Sequence, residues 1–349
     1  MHSISHQHGG VSLYVLILTI GFTLLGFYFP DLLGSWEPFL VLGMMLILGL
    51  PHGATDHGLF DTLVKDDSEK KGVSFYLAYL LVIGAYGLVW FLLPMVAFGI
   101  FILMSVYHFG QSNWADVKYQ SATQARLHYL LWGAGVLLTP IILHGGEASA
   151  IVATMTDFAI PPPTTEVIQL IIGGLASLNI LVLMIYYFQG VLTTKRLAKE
   201  LLAYGVLITM FLTNTLLLGF TVYFVFWHSL TSAQDQLRFF QRRLSPAARK
   251  QLYGEISLVV VGALAFCLIV WLGPGPEAAL RPGVIGGVFV FISLLTMPHM
   301  LLVEQLYNNW SPRKEAAIRP LTPSRSKPSL TKPQSEESSS TTSGLSIIH

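Results

Sequence analysis

The chain has 349 residues, of which 53% are hydrophobic and only 11% charged, and its formal net charge is +1. A soluble domain carries about 25% charged residues, so a water-soluble globular fold is excluded, and the near-zero charge leaves no electrostatic footprint for nucleic acid. What remains is a membrane protein built from helices. Apolar runs recur from Val11 to Tyr307, each of about 20 residues and so able to cross a bilayer core ~30 Å thick. A transmembrane barrel would instead need alternating segments of about 10 residues, which are not present.

The sequence predicts an all-α polytopic bundle of about ten spans occupying residues 11–307, after a flexible N-terminus at 1–10. Span one (11–29) lacks a basic n-region and a small-residue cleavage site and reads as retained. Span two (38–62) contains PHGATDHGLF at 51–60. Spans three (74–93) and four (95–113) meet at Pro94, and span four ends in YHFGQSNW. Span five (127–143) has His128 near its inner end and His144 just past its outer end. Span six covers 166–188. Spans seven (199–215) and eight (217–236) are separated by the tight TNTLLLG, and span eight carries FWHSLTSAQDQ. Span nine (254–273) holds the single cysteine, Cys267, which can form no intramolecular disulfide. Span ten (283–306) carries MPHMLLVEQ, and residues 308–349, rich in Ser, Thr, Pro and Lys, read as a disordered cytoplasmic tail. With both termini cytoplasmic, this count puts 19 of the 20 Lys and Arg residues on one side, with Arg281 on the other. Such an imbalance is what short cytoplasmic loops produce.

Polar side chains at bilayer depth are costly and mark functional sites by default. His52, His108, His228 and His299 lie 14, 13, 11 and 16 residues from the outer ends of spans two, four, eight and ten. At ~1.5 Å per residue, they sit ~16–24 Å deep and can converge. Imidazole suits iron, zinc, copper and nickel, so four histidines at one depth suggest a metal centre. His57 is five residues after His52, about 140° round an ideal helix, and reaches the same face only through a distortion such as a π-bulge. Pro51, Gly53 and Gly58 make such a distortion plausible. Asp56 is placed either to ligate or to accept the second ring proton of a metal-bound histidine, or else to bond another helix. Gln111, Ser112 and Asn113 read as residues ending span four, and Glu304 as a partner for a loop arginine.

The blocks GLPHGATDH (49–57), YHFGQ (107–111), FWHS (226–229) and TMPHMLL (296–302) together resemble the Brp/Blh family of membrane β-carotene 15,15′-dioxygenases, over about residues 38–306. The resemblance implies an Fe(II) enzyme that uses O₂ to split β-carotene at its central double bond into two molecules of retinal, with a functional link to a retinal-binding rhodopsin. It also implies that His52, His108 and His228 are metal ligands. Where the family has a further ligand His, four residues after His228, this chain has Ser232. His57 is then the first candidate to replace it and His299 the second. Tyr223, Phe224 and Trp227 are candidates to line the polyene, since Tyr223 and Trp227 share one helix face and Phe224 shares another with His228. Intramembrane His and Asp also build metal-ion or proton pathways, so a transporter or channel is the alternative, with a bis-His haem protein as a third reading.

Overall fold

The computed structural model describes residues 12–63 and 71–309. The N-terminus expected to be flexible, residues 64–70 and the expected disordered tail from Trp310 onward lie outside the described residues.

Among the described residues every regular element is helical. Helix α1 (Leu13–Tyr28) is followed by α2 (Pro30–Met44), which continues through a π-helical stretch (Met45–Gly49) and a 3-10 stretch (Leu50–Thr55) into α3 (Asp56–Leu63). Next come α4 (Lys71–Leu92), α5 (Pro94–Trp114), α6 (Ala122–Leu143), α7 (Gly145–Thr156), α8 (Thr165–Phe188) and α9 (Thr194–Thr213). Helix α10 (Leu216–Val222) passes through a second π-helical stretch (Tyr223–Ser229) into α11 (Leu230–Arg243). The chain then forms α12 (Pro246–Leu272), the single turn α13 (Pro276–Ala279) and α14 (Pro282–Asn309).

Eight of these segments, among the described residues, are long and apolar enough to cross a membrane. The fold is therefore a polytopic helical bundle. Two further predicted spans coincide with α1, apolar over only 16 residues, and with α9, whose first turns carry Lys195, Arg196, Lys199 and Glu200. The break at Pro94 is real: Leu93 leaves helical geometry at φ −142° and Pro94 opens α5 at a position where its missing N–H costs nothing.

Several helices begin before their apolar runs do, because hydroxyl caps start them. Ser121, Thr193 and Ser245 accept from the backbone N–H groups of Gln124, Arg196 and Ala248. Each satisfies an end donor that the helix itself cannot. Span two likewise starts early, at Pro30 in the first helical position, and runs through Pro38. Helix α7, short and opened by two glycines, was not anticipated.

Helices α5 and α6 cross with almost no side chain between their backbones. A Cβ on Gly110 would run into the Tyr129 carbonyl, and one on Gly133 into the Val106 carbonyl. Membrane helices associate through such small residues because no hydrophobic force separates protein from lipid. The approach packs Trp114 of α5 edge to face on Trp132 of α6, ring centroids 5.1 Å apart. Gly133→Ala is expected to cost about 1–3 kcal/mol through overpacking, seen as a lower melting temperature of the purified protein in detergent. Gly254→Ala, where a Cβ meets nothing within 4 Å, should leave it unchanged.

Candidate metal centre

Two helical irregularities face each other at the centre of the bundle. The Ser229 hydroxyl donates to the carbonyl oxygens of Leu48 at 2.9 Å and Gly49 at 3.3 Å. A Cβ on Gly49 would come within 2.9 Å of the Phe224 ring, so the glycine lets the two π-helical stretches touch. A π turn leaves carbonyls off the regular ladder, and the hydroxyl supplies what the backbone does not.

The second π-helical stretch presents His228, α5 presents His108 and α14 presents His299, all at least 96% buried. The His108 ring is 4.8 Å from that of His228 and 5.7 Å from that of His299, edge to face in both cases. Three helices thus converge on one cluster of rings. Among the described residues these contacts form a chain of rings, and no group of three or more His, Cys, Asp or Glu side chains is closed into a cage. His52 lies in the 3-10 stretch leading to Asp56; its side chain is outside the described residues.

Asp56 is buried, and its Oδ1 lies 2.7 Å from Nδ1 of His299. The Tyr79 hydroxyl on α4 donates to Asp56 Oδ2 at 2.9 Å and is 3.2 Å from the Leu295 carbonyl oxygen. The carboxylate is held from one side and orients the imidazole on the other. On His228, Nδ1 lies 3.1 Å from the Ser112 hydroxyl. These contacts give Nδ1 of both rings a protein partner, which fixes each ring's orientation.

His57 is not brought to this cluster. It stacks on Tyr76 at 5.5 Å and touches Phe75 at 5.3 Å, with Nε2 3.6 Å from Asp61. The physical reason is the position of the distortion. It falls at 45–55, upstream of His57, and regular α-helix resumes at Asp56, which sets Asp56 and His57 about 100° apart.

Of the proposed substrate aromatics, Phe224 lies against His228 at 5.7 Å. Tyr223 instead receives a hydrogen bond from Asn113 Nδ2 at 3.3 Å, and Trp227 donates to Thr19 Oγ1 at 2.8 Å. Phe109, at 4.7 Å, is the aromatic packed closest on His228. Ser232 is buried against the Tyr307 hydroxyl.

Sequence reasoning read residues 111–113 as a helix end, yet Ser112 touches His228, and Gln111 donates to Glu304. Glu304 lies 3.5 Å from the Tyr107 hydroxyl, so it clamps α14 to α5. The signal was there, since Ser112 is four residues after His108 and shares its face.

A polytopic helical bundle with imidazoles from three helices in ring contact, one of them held by a buried carboxylate, is the class these features define. Within it, the chain belongs to the beta-carotene 15,15'-dioxygenase family, whose profile matches residues 43–307. A protein named beta-carotene 15,15'-dioxygenase, from uncultured marine bacterium 66A03, is 25% identical over 290 residues, covering 78% of this chain and 94% of that relative. No solved structure matches.

Asp56→Leu removes the acceptor of a buried histidine. The expected loss is about 1–3 kcal/mol, the cost of a buried polar group left unsatisfied, read as a fall in melting temperature larger than that of Asp56→Asn.

Proposed function

We propose that this protein cleaves β-carotene at its central 15,15′ double bond with O₂, giving two molecules of all-trans-retinal, at a non-haem Fe(II) held by intramembrane histidines. The observation that carries this reading is the convergence of His108, His228 and His299 in a chain of this family. The donor set fits the metal: neutral imidazoles suit iron, and three or four of them leave coordination positions open. His108, His228 and His52 would ligate, and His299 would take the place left by Ser232.

Bound iron supplies the one-electron and O₂ chemistry that amino acids lack. The chain's own residues do the rest. Asp56 accepts the Nδ1 proton of His299 and keeps the ring in one tautomer and orientation, and Tyr79 fixes Asp56. Ser112 does the same for His228. Phe109 and Phe224 border the site with apolar surface that a polyene can pack on and that keeps water out. The long hydrocarbon substrate dissolves in the bilayer, so a site between spans meets it where it is. In this reading the protein lies in the inner (plasma) membrane with both termini cytoplasmic, and its product serves a retinal-binding rhodopsin.

The test is expression in a β-carotene-accumulating bacterium, with retinal and residual carotene measured by chromatography. Retinal is expected with the intact chain and at background with His108→Ala, His228→Ala or His299→Ala, while His57→Ala retains most of the yield. Untouched carotene in cells holding folded, iron-supplied protein would sink the assignment. Iron uptake that falls with His108→Ala in cells, with no retinal made, would favour a transport pathway instead.

Tyr79→Phe should weaken iron retention of the purified protein about 10–100-fold, the usual effect of removing a partner behind a ligand. Competition with a chelator measures it directly.

A further inference from the structure

Two files of aromatic rings leave His228, and they end in different surroundings. One passes through Phe109, 4.7 Å from His228, to Tyr223 at 5.5 Å and on to Phe211 at 6.4 Å. Tyr223 and Phe211 are fully buried, and Asn113 donates to the Tyr223 hydroxyl, so this file closes inside the bundle. The other passes through Phe224, 5.7 Å from His228, to Phe220, stacked on it at 5.8 Å with the ring planes 19° apart. Phe220 then meets Phe289 of α14 at 6.0 Å. Phe224, Phe220 and Phe289 are each partly exposed, and Val288 and Phe291, close to Phe289 in the chain, lie on the apolar outer surface. This second file joins a buried imidazole to the face that meets lipid.

The spacing of the chain builds it. Phe220 and Phe224 are four residues apart and share one helix face, and the bare face of Gly49 leaves room for the Phe224 ring. Phe220 lies eight residues before His228, and Phe289 ten before His299. At ~1.5 Å per residue the file reaches ~12–15 Å from the cluster along the helix axes, the scale of one arm of an extended carotene from its central bond to its terminal ring. Phenyl rings suit such a guest, since they offer large apolar area with few rotamers to immobilise and no polar atom to leave unpaired.

We infer that Phe224, Phe220 and Phe289 form the track along which one arm of the carotene lies, with its terminal ring at the Phe220–Phe289 pair. The inference rests on the cleavage reaction proposed above and adds what fixes its position on the polyene. A polyene offers many similar double bonds and carries no polar group by which a hydrogen bond could tell one from the next. Distance from an end can tell them apart. With the ring held at Phe220 and Phe289, the central bond and not a neighbour stands at His108, His228 and His299. Phe220 and Phe289 are then specificity-determining residues that act at the far end of the substrate arm.

Pigment binding and product identity test this separately. The full-length protein in nanodiscs is titrated with β-carotene in the absence of O₂, so that pigment is bound and not consumed, and binding is read from induced circular dichroism of the polyene band. Phe220→Ala and Phe289→Ala are each expected to weaken binding about tenfold, the effect of losing much of one ring's apolar contact. Phe291→Ala removes a ring of the same helix outside the file and should bind as the intact protein does. In carotene-accumulating cells, the Phe220 and Phe289 variants should turn part of the product from retinal into pairs of unequal apocarotenals, separated by chromatography. Phe220→Leu and Phe289→Leu, which keep apolar bulk without a flat ring, repeat both arms where an alanine variant does not fold. Intact-protein affinity with retinal alone from the variants at both positions overturns the inference, as does equal loss of binding in Phe291→Ala or no pigment signal in the intact protein. Carotene bound through the file yet left uncut when O₂ is admitted counts against the cleavage reaction and leaves the track standing. Undiminished retinal from variants that bind normally counts against the track and leaves the reaction standing.

Discussion

A backbone carbonyl in hydrocarbon has no water to bond, so a transmembrane helix can depart from its regular ladder only where another part of the protein supplies the missing partner. Here that partner is the Ser229 hydroxyl, donated to the Leu48 and Gly49 carbonyls. It comes from a second irregular helix, which bears His228 one residue earlier. Each distortion sits against the other. The bare face of Gly49 completes the fit, since any side chain there would meet the Phe224 ring.

This mutual support explains why the centre lies where it does. The irregular stretch 45–55 delivers Asp56 to His299, and the π-helical stretch 223–229 delivers His228 to His108. The close approach of α5 and α6 through Gly110 and Gly133 seats the helix bearing His108. Glu304, held by Gln111 and near Tyr107, keeps α14 beside α5. Polar groups that would each be costly alone are placed where they satisfy one another.

The same arrangement separates two histidines that look alike on paper. His52 and His57 lie in one motif, and a π-bulge between them would have put both on one face. The π-helical turn instead falls at 45–49, before both, and the chain between them is 3-10 to Thr55 and α-helical from Asp56, so His57 faces Phe75, Tyr76 and Asp61. His299, at a similar depth on a helix remote in sequence, reaches the cluster in its stead. His128, near the inner end of its predicted span, is buried beneath the Tyr119 turn.

Hydropathy by itself determined that this is a helical membrane bundle, because the cost of unsatisfied backbone in lipid leaves few other folds for such runs. Residue spacing along rigid helices determined that His108, His228 and His299 could meet, since rise per residue is nearly constant. The rotation of each helix about its axis, and hence which polar group faces which, depends on contacts between segments far apart in the chain. Only the tertiary structure decided that Asp56 and Tyr79 hold His299, that Ser112 holds His228, and that His57 faces away. The caps that start α6, α9 and α12 lie outside the apolar runs, so hydropathy placed those helix starts too late, while the hydroxyls at Ser121, Thr193 and Ser245 set them.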